Sequence, residues 1–278
     1  MKAPSILDRL AVCSWSLQPA SPDDLVQKLR ATGIRRVQLA LDPLRESPRV
    51  WGNVESLLHE NNITIVSGMV RCIDEDYTSL ESIRLTGGIA PDATWEQNIK
   101  NISEGAALAK KMGLKLVTFH AGFLPPDESH PTFGKMLQRL DVVADIFMVQ
   151  NILLGLETGQ ETAPELAALL HKLNHPNIGV NFDPANMVMY DKGDPVKALH
   201  ILAPWIRQVH IKDARRTKVP GTWGPEVPVG TGDVNWRAFF STFKHVVFNV
   251  NLAIEREYGD NRVADIRAAR EVMERSFF

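Results

Sequence analysis

Cysteine is scarce in this chain. Cys13 and Cys72 are its only two, too few for a disulfide framework and without the paired spacing of a thiolate zinc site. A reducing compartment follows, and the chain reads as cytoplasmic. No stretch approaches the roughly 20 apolar residues of a membrane span, so no membrane partner is expected. Asp8 and Arg9 break up the apolar positions of Met1 to Leu10, leaving neither a signal peptide nor an anchor to be read there. Charge of one sign is also missing. The formal net charge is -2 and no Lys or Arg run stands out, which lacks the field that gathers a polyphosphate backbone and argues against nucleic acid. Internal repeats, linkers and low-complexity tracts are likewise not found.

The chain has 278 residues, 44% of them hydrophobic and 23% charged, enough to bury a large core. Short β-rich apolar runs recur, each followed by a polar loop and a segment of helical period. Eight such strands are expected: Leu10 to Trp15, Arg36 to Leu41, Ile63 to Met69, Lys115 to His120, Ile152 to Glu157, Ile178 to Asp183, Gln208 to Ile211 and Val250 to Glu255. Thr162 with Glu165 reads as a capping box, Asp194-Pro195 as an N-cap with a first-turn proline, and Gly33 and Gly113 as helix C-termini. Eight βα units close a barrel without leaving an edge strand, so an α/β fold of the (β/α)8 TIM-barrel type, one domain over residues 1–278, is expected. An open doubly wound sheet is the alternative. Against it, Ser14-Trp15-Ser16-Leu17-Gln18-Pro19 stands where a dinucleotide fold carries its glycine-rich turn. The long interruptions Arg71 to Trp95 and Ala214 to Asn235 fall at the catalytic face of such a barrel and read as lids, the first with a Gly87-Gly88 hinge.

Four later strands finish in ionisable residues: Glu157 in LLGLETG, Asp183 in IGVNFDPAN, His210 in IRQVHIKD and Glu255 in LAIEREYG. Singly, a strand-terminal carboxylate is more often a helix cap or ion-pair partner, and a lone histidine a satisfied core residue. Together, ending strands five to eight of one barrel, they form an arc that is costly to bury without a cation. One imidazole and three carboxylates suit one divalent ion, manganese, magnesium or cobalt, and are acceptable to zinc. Gln208 shares a strand face with His210, and Asn251 with Glu255, which predicts a polar upper interior. His120, ending strand four, fits a substrate contact or a supporting hydrogen bond, and equally a structural role. Trp15, Trp95 and Trp223 are candidates for a sugar-binding wall, the alternative being ordinary packing.

These motifs, in this order, resemble the xylose isomerase-like TIM barrels, in particular the sugar phosphate isomerase/epimerase group with its D-tagatose 3-epimerase-like enzymes. In that family a Glu ends strand five, an Asp ends strand six, a His-x-Lys-Asp segment lies on strand seven and a Glu-Arg-Glu-like segment ends strand eight. Here these fall on Glu157, Asp183, His210 with Lys212 and Asp213, and Glu255 with Arg256 and Glu257, while VPVGTGDVNW resembles the family's glycine-rich segment before the seventh helix. The resemblance implies a metal held by Glu157, Asp183, His210 and Glu255 that grips a hydroxy-ketone, with Glu157 and Glu255 exchanging protons beside the carbonyl. It also implies a substrate contact at Arg216. Asn186, three residues after Asp183, stands where the family usually has a histidine, and the spot near Ala163 is apolar where the family has a substrate-contacting acid. A keto-sugar isomerase or epimerase with a small carbohydrate substrate is therefore expected. An inosose-type dehydratase and a non-catalytic sugar-binding barrel are the alternatives, and the net charge speaks against an endonuclease. A homo-oligomer is compatible with the sequence.

Overall fold

The computed structural model describes residues 6–219, 221–246 and 249–277. Eight parallel strands close a barrel: β1 (Leu10–Cys13), β2 (Arg36–Ala40), β3 (Thr64–Met69), β4 (Leu116–Phe119), β5 (Leu153–Glu157), β6 (Ile178–Phe182), β7 (Ile206–Ile211) and β8 (Asn251–Ile254), with β8 paired to both β7 and β1. All eight expected strands are present, and the open-sheet alternative is excluded by closure. Met1 to Ser5, part of the N-terminal stretch read above for targeting, lie outside the described residues.

The local signals act as read. Ser21 accepts the Asp24 N–H at the start of helix Pro22–Thr32, which Gly33 ends at φ 74°. Thr162 and Glu165 form the reciprocal capping box of helix Ala163–Leu173, and Asp194 caps helix Pro195–Leu202. The main core lies between the outward strand faces and the surrounding helices. Phe239, Phe240 and Phe243 of helix Trp236–Val246 are fully buried there, with Phe239 against Phe182 of β6.

Inside the barrel the packing is different. A small apolar group, Ala11, Cys13 and Ala253, lies there with Trp15 and Val66 packed against it. Gln38, Ser67, Thr118, Asn181 and Gln208 are all fully buried and form a hydrogen-bonded layer: Ser67 donates to Gln208, Gln208 to Gln38, and Gln38 to Thr118. Such a layer is tolerable because its members satisfy one another. Gln208 thus joins the expected polar interior, whereas Asn251 sits at the opposite end of its strand and accepts a hydrogen bond from Arg36.

Several strand ends are shorter than expected. Trp15 belongs to a 3-10 turn, Ser14–Leu17, and Asp183 is the N-cap of helix Pro184–Met189, since Pro184 cannot continue the ladder. The Arg71 to Trp95 interruption is also partly regular: it contains helix Leu80–Thr86, and Trp95 lies within helix Asp92–Lys111. Gly88 is no free hinge. At φ +66° it packs so closely on the backbone of Ala121 and Gly122 that an added Cβ would lie 2.0 Å from Ala121, and the Ile89 N–H donates to the Ala121 carbonyl. The second interruption is tied down by Asp213, whose carboxylate accepts the N–H groups of Gly230, Gly232 and Val234 and the Trp236 indole N–H. Pro220 of this loop lies outside the described residues.

Candidate metal centre and active site

Side chains at two-residue steps along a strand share a face, so the polar layer inside the barrel is followed, one step nearer the C-terminal mouth, by Trp15, His120, Glu157, Asp183, His210 and Glu255. Glu157, Asp183, His210 and Glu255 each offer one ligand atom, and these atoms all lie within 4.8 Å of one another. His210 Nδ1 stands 3.5 Å from Glu157 Oε1, 3.8 Å from Asp183 Oδ2 and 3.3 Å from Glu255 Oε2. None of the four residues is more than 7% exposed.

The chemistry of this set fits one divalent cation. Asp183 Oδ2, His210 Nδ1 and Glu255 Oε2 are buried without a hydrogen-bond partner, although the Lys212 ammonium lies 2.9 Å and His210 Nδ1 3.3 Å from Glu255 Oε2. Buried polar atoms left unpaired and converging on one point are costly unless a cation completes them. Three carboxylates gathered around one imidazole and one lysine, all buried, are a donor set that a divalent cation completes. Nε2 of the imidazole lies 2.9 Å from the Gln38 carbonyl oxygen and 3.0 Å from the Asn181 amide nitrogen; the tautomer that donates from Nε2 to Gln38 leaves the Nδ1 lone pair free toward the cluster. Asp183 meanwhile spends Oδ1 on the N–H groups of Ala185 and Asn186, which aims Oδ2 into the cluster.

Each glutamate has its own partners. Asn186 donates to Glu157 Oε1 at 3.1 Å and His120 Nε2 lies 3.3 Å from the same oxygen, while Trp15 Nε1 donates to Glu255 Oε1 at 2.8 Å. Burial alone raises a carboxylate pKa, but His120, with His210 when it is protonated in the metal-free protein, holds Glu157 below its ordinary value, and Lys212, with the same protonated His210, holds Glu255 well below. Both are therefore ionised at neutral pH. Burial opposes charge on His120, yet Glu157 and Glu75 outweigh it and shift this imidazole upward.

Above the cluster the mouth opens into two adjoining lobes. One, of about 580 Å³, is walled by Trp15, Met69, Arg71 and Tyr77; the other, of about 230 Å³, by Asn186, Tyr190, Lys212 and Trp223. His120, Tyr77 and Glu257 line both. Of the sequence candidates, Trp15, His120, Asn186 and Trp223 thus reach the mouth. Arg216 does not: it is exposed, and its guanidinium donates to Asp191 and the Gly193 carbonyl. Trp95 does not either, because it packs between outer helices with the Arg139 guanidinium 4.6 Å over its ring. Lys212 has no role that the sequence alone assigns. It is 3% exposed and reaches Glu255 at 2.9 Å and Glu257 at 2.6 Å. Its signal is alternation, since it lies two residues beyond His210 on the same strand face.

A sequence profile described as xylose isomerase-like TIM barrel matches residues 23–276. The chain belongs to that family. Within it, the chain is 25% identical to a 3-dehydroshikimate dehydratase of Bacillus anthracis over 183 residues, 64% of this chain and 65% of the relative. A second relative, the uncharacterized protein YihM of Escherichia coli K12, is 27% identical over 51% of this chain, so the chain spans less than two thirds of the length of either curated relative. Among solved xylose isomerase-like barrels, a xylose isomerase domain protein of Planctomyces limnophilus superposes with TM-score 0.84 at 27% identity, covering 90% of this chain and 91% of that one. A D-psicose 3-epimerase of Clostridium cellulolyticum H10, solved with D-tagatose, has TM-score 0.72 at 14% identity over 97% and 99% of the two chains. A Mycobacterium smegmatis barrel in complex with magnesium has TM-score 0.70 at 15% identity over 99% and 98%. The fold is thus shared with a sugar epimerase, and a dehydratase is among the chain's relatives. Among the described residues no helix is long and apolar enough to cross a membrane.

Glu161 is a further buried acid of this barrel, 5% exposed in the loop after β5, and burial pushes its carboxyl up from 4.5 to about 7. A folded-state pKa above the unfolded one means that the native state holds the proton more tightly, so stability falls as pH rises from about 4.5 to 7. Glu161→Gln is expected to leave stability unchanged at pH 4 and to raise it at pH 8. Urea unfolding at both pH values checks this; an equal change at both would show that the effect is not ionisation.

Proposed function

We propose that this protein is a divalent-metal-dependent isomerase or epimerase that acts on a keto-sugar or sugar derivative by proton transfer at the carbon beside the carbonyl. The observation that carries the reading is the pair Glu157 and Glu255, ionised carboxylates at the two ends of the four-strand arc, each held by different neighbours. When bound by Glu157, Asp183, His210 and Glu255, a divalent ion supplies Lewis acidity toward the substrate carbonyl. The chain's own groups do the rest. One glutamate accepts the carbon-bound proton on one face and the other returns a proton on the opposite face, which is what inversion at that carbon requires. Asn186 and His120 orient Glu157, Trp15 and Lys212 orient Glu255, and Trp15, His120 and Asn186 also line the mouth as substrate contacts.

The Bacillus anthracis relative favours one second reading, a dehydratase that begins with the same proton abstraction and then expels a β-hydroxyl. Incubation with a panel of keto-sugars in heavy water separates the two. Deuterium beside the carbonyl of recovered sugar, with epimer formed, supports the isomerase. A product shorter by one water and absorbing as a conjugated carbonyl supports the dehydratase. Tight binding with neither outcome would leave a sugar-binding barrel.

A further inference from the structure

We infer that Gln38 is a positioning residue for the metal: its side-chain carbonyl makes Nδ1, and not Nε2, the nitrogen that His210 offers to the cation. The assignment rests on the metal-dependent reading above. It names a residue of β2, a strand outside the arc that carries the four ligands.

A neutral histidine ring can bind a cation only through the nitrogen that carries no proton. Which nitrogen that is follows from the hydrogen-bond chain beneath the cluster, and the chain begins at an acid. The ionised carboxylate of Glu157 can only accept. Asn181 therefore turns its amide nitrogen to Glu157 Oε2, at 3.3 Å, and its carbonyl to Gln208, whose amide nitrogen donates to it at 3.3 Å. The same Gln208 nitrogen donates to Gln38 Oε1 at 2.8 Å, while the Gln208 carbonyl accepts from Ser67 at 2.7 Å. Gln38 sends its own amide nitrogen to Thr118 Oγ1 at 2.7 Å and faces the ring with its oxygen, 2.9 Å from His210 Nε2. An acceptor oxygen at that distance needs a proton between the two atoms, and Nε2 supplies it. Nδ1 is left bare where Glu157, Asp183 and Glu255 converge on it at 3.5, 3.8 and 3.3 Å.

The chain resists reversal. Turning Gln38 over would set its NH2 against that of Gln208. Turning Gln208 over as well would set its carbonyl against that of Asn181, and turning Asn181 would set a carbonyl against the Glu157 carboxylate. The Asn181 nitrogen also lies 3.0 Å from Nε2, a contact that is a hydrogen bond only in the opposite tautomer. That tautomer would leave the Gln38 oxygen facing a lone pair and turn a proton toward the cation.

Two irregularities of the barrel set these residues side by side. Between Val37 and Gln38 the β2–β3 register slips, so that Gln38 lies opposite Ser67 and not Val66. Between Val180 and Asn181 the β6–β7 register slips, so that Asn181 lies opposite Gln208 and not Arg207. Slips of this kind re-aim side chains. Both fall at the amides that touch His210 Nε2, and Gln38, Ser67, Thr118, Asn181 and Gln208 are all fully buried, which keeps the chain rigid.

The test uses the full-length protein, stripped with chelator and reloaded with zinc alone, a diamagnetic ion. Long-range proton–nitrogen correlation spectra of the loaded wild type are expected to show His210 with a proton on Nε2 and zinc on Nδ1. Calorimetric zinc titration compares the wild type with Gln38→Met, which removes the acceptor at nearly constant length, and Gln38→Glu, which keeps one in place. Gln38→Met should bind zinc about 10- to 100-fold more weakly, the usual cost of losing the hydrogen bond behind a metal-bound histidine. Gln38→Glu should bind at least as tightly as the wild type and keep Nε2 protonated, a rescue that a space-filling role would not produce. A proton on Nδ1, or zinc on Nε2, in the loaded wild type overturns the inference whether or not the variants fold. Equal zinc binding by wild type and Gln38→Met, or equal loss in both variants, also overturns it and leaves the metal-dependent reading standing. A wild type that binds no zinc removes both. None of these readouts needs turnover, so failure of every keto-sugar to exchange removes the proton-transfer reading without touching the role of Gln38.

Discussion

Glu157→Gln and Glu255→Gln should each lower proton exchange at the substrate carbon by about 100-fold or more, the usual contribution of a general acid or base. The amide keeps the size of the side chain and one oxygen that can face the cluster, but it has no carboxylate to accept a proton. Both acids are held below the ordinary carboxylate range by neighbouring cationic groups, which keeps them ionised at neutral pH. The effect should appear mainly in kcat, since the lobes that hold the substrate are unchanged. Metal content and urea unfolding of the variants must be measured alongside. A variant that folds, retains its metal and exchanges at the wild-type rate would remove that glutamate from the chemistry.

Asp183→Ala and His210→Ala are expected to reduce bound divalent ion from about one per chain to near none, because each removes a ligand whose remaining partners are held rigidly and cannot move to replace it. Asp183→Asn is the informative companion. Asp183 also caps helix Pro184–Met189 through Oδ1, and asparagine can keep that cap while losing the charge directed at the cluster. Loss of metal in Asp183→Asn with the helix intact therefore isolates the ligand role. Chelation should lower the thermal midpoint of the wild type, as an ion present at 100 times its Kd stabilises the native state by about 2.7 kcal/mol. Elemental analysis of protein purified without chelator decides the matter. Unchanged metal content in Asp183→Ala and His210→Ala would dismiss the site.

The chain by itself determined the barrel and the arc. Eight apolar runs of strand length, separated by capped helices, have one economical closure, and four ionisable residues at the ends of strands five to eight converge once that closure is made. Periodicity carries this information because strand spacing and side-chain alternation are nearly invariant from protein to protein. Loop conformation and side-chain partners are not periodic, and these were left to the tertiary structure. Arg216 lies six residues beyond His210, where the family resemblance implies a substrate contact, but Asp191 and the Gly193 carbonyl, brought up by a separate loop, draw its guanidinium outward. Gly87-Gly88 reads as a hinge, yet Gly88 is needed for close backbone contact with a loop more than 30 residues away in sequence. Lys212 became an ion-pair partner of Glu255 and Glu257 only because β7 and β8 run side by side. The two-lobed mouth likewise arises from segments at the ends of β1, β2, β3, β4, β6, β7 and β8 meeting in space, and no one of them encodes it alone.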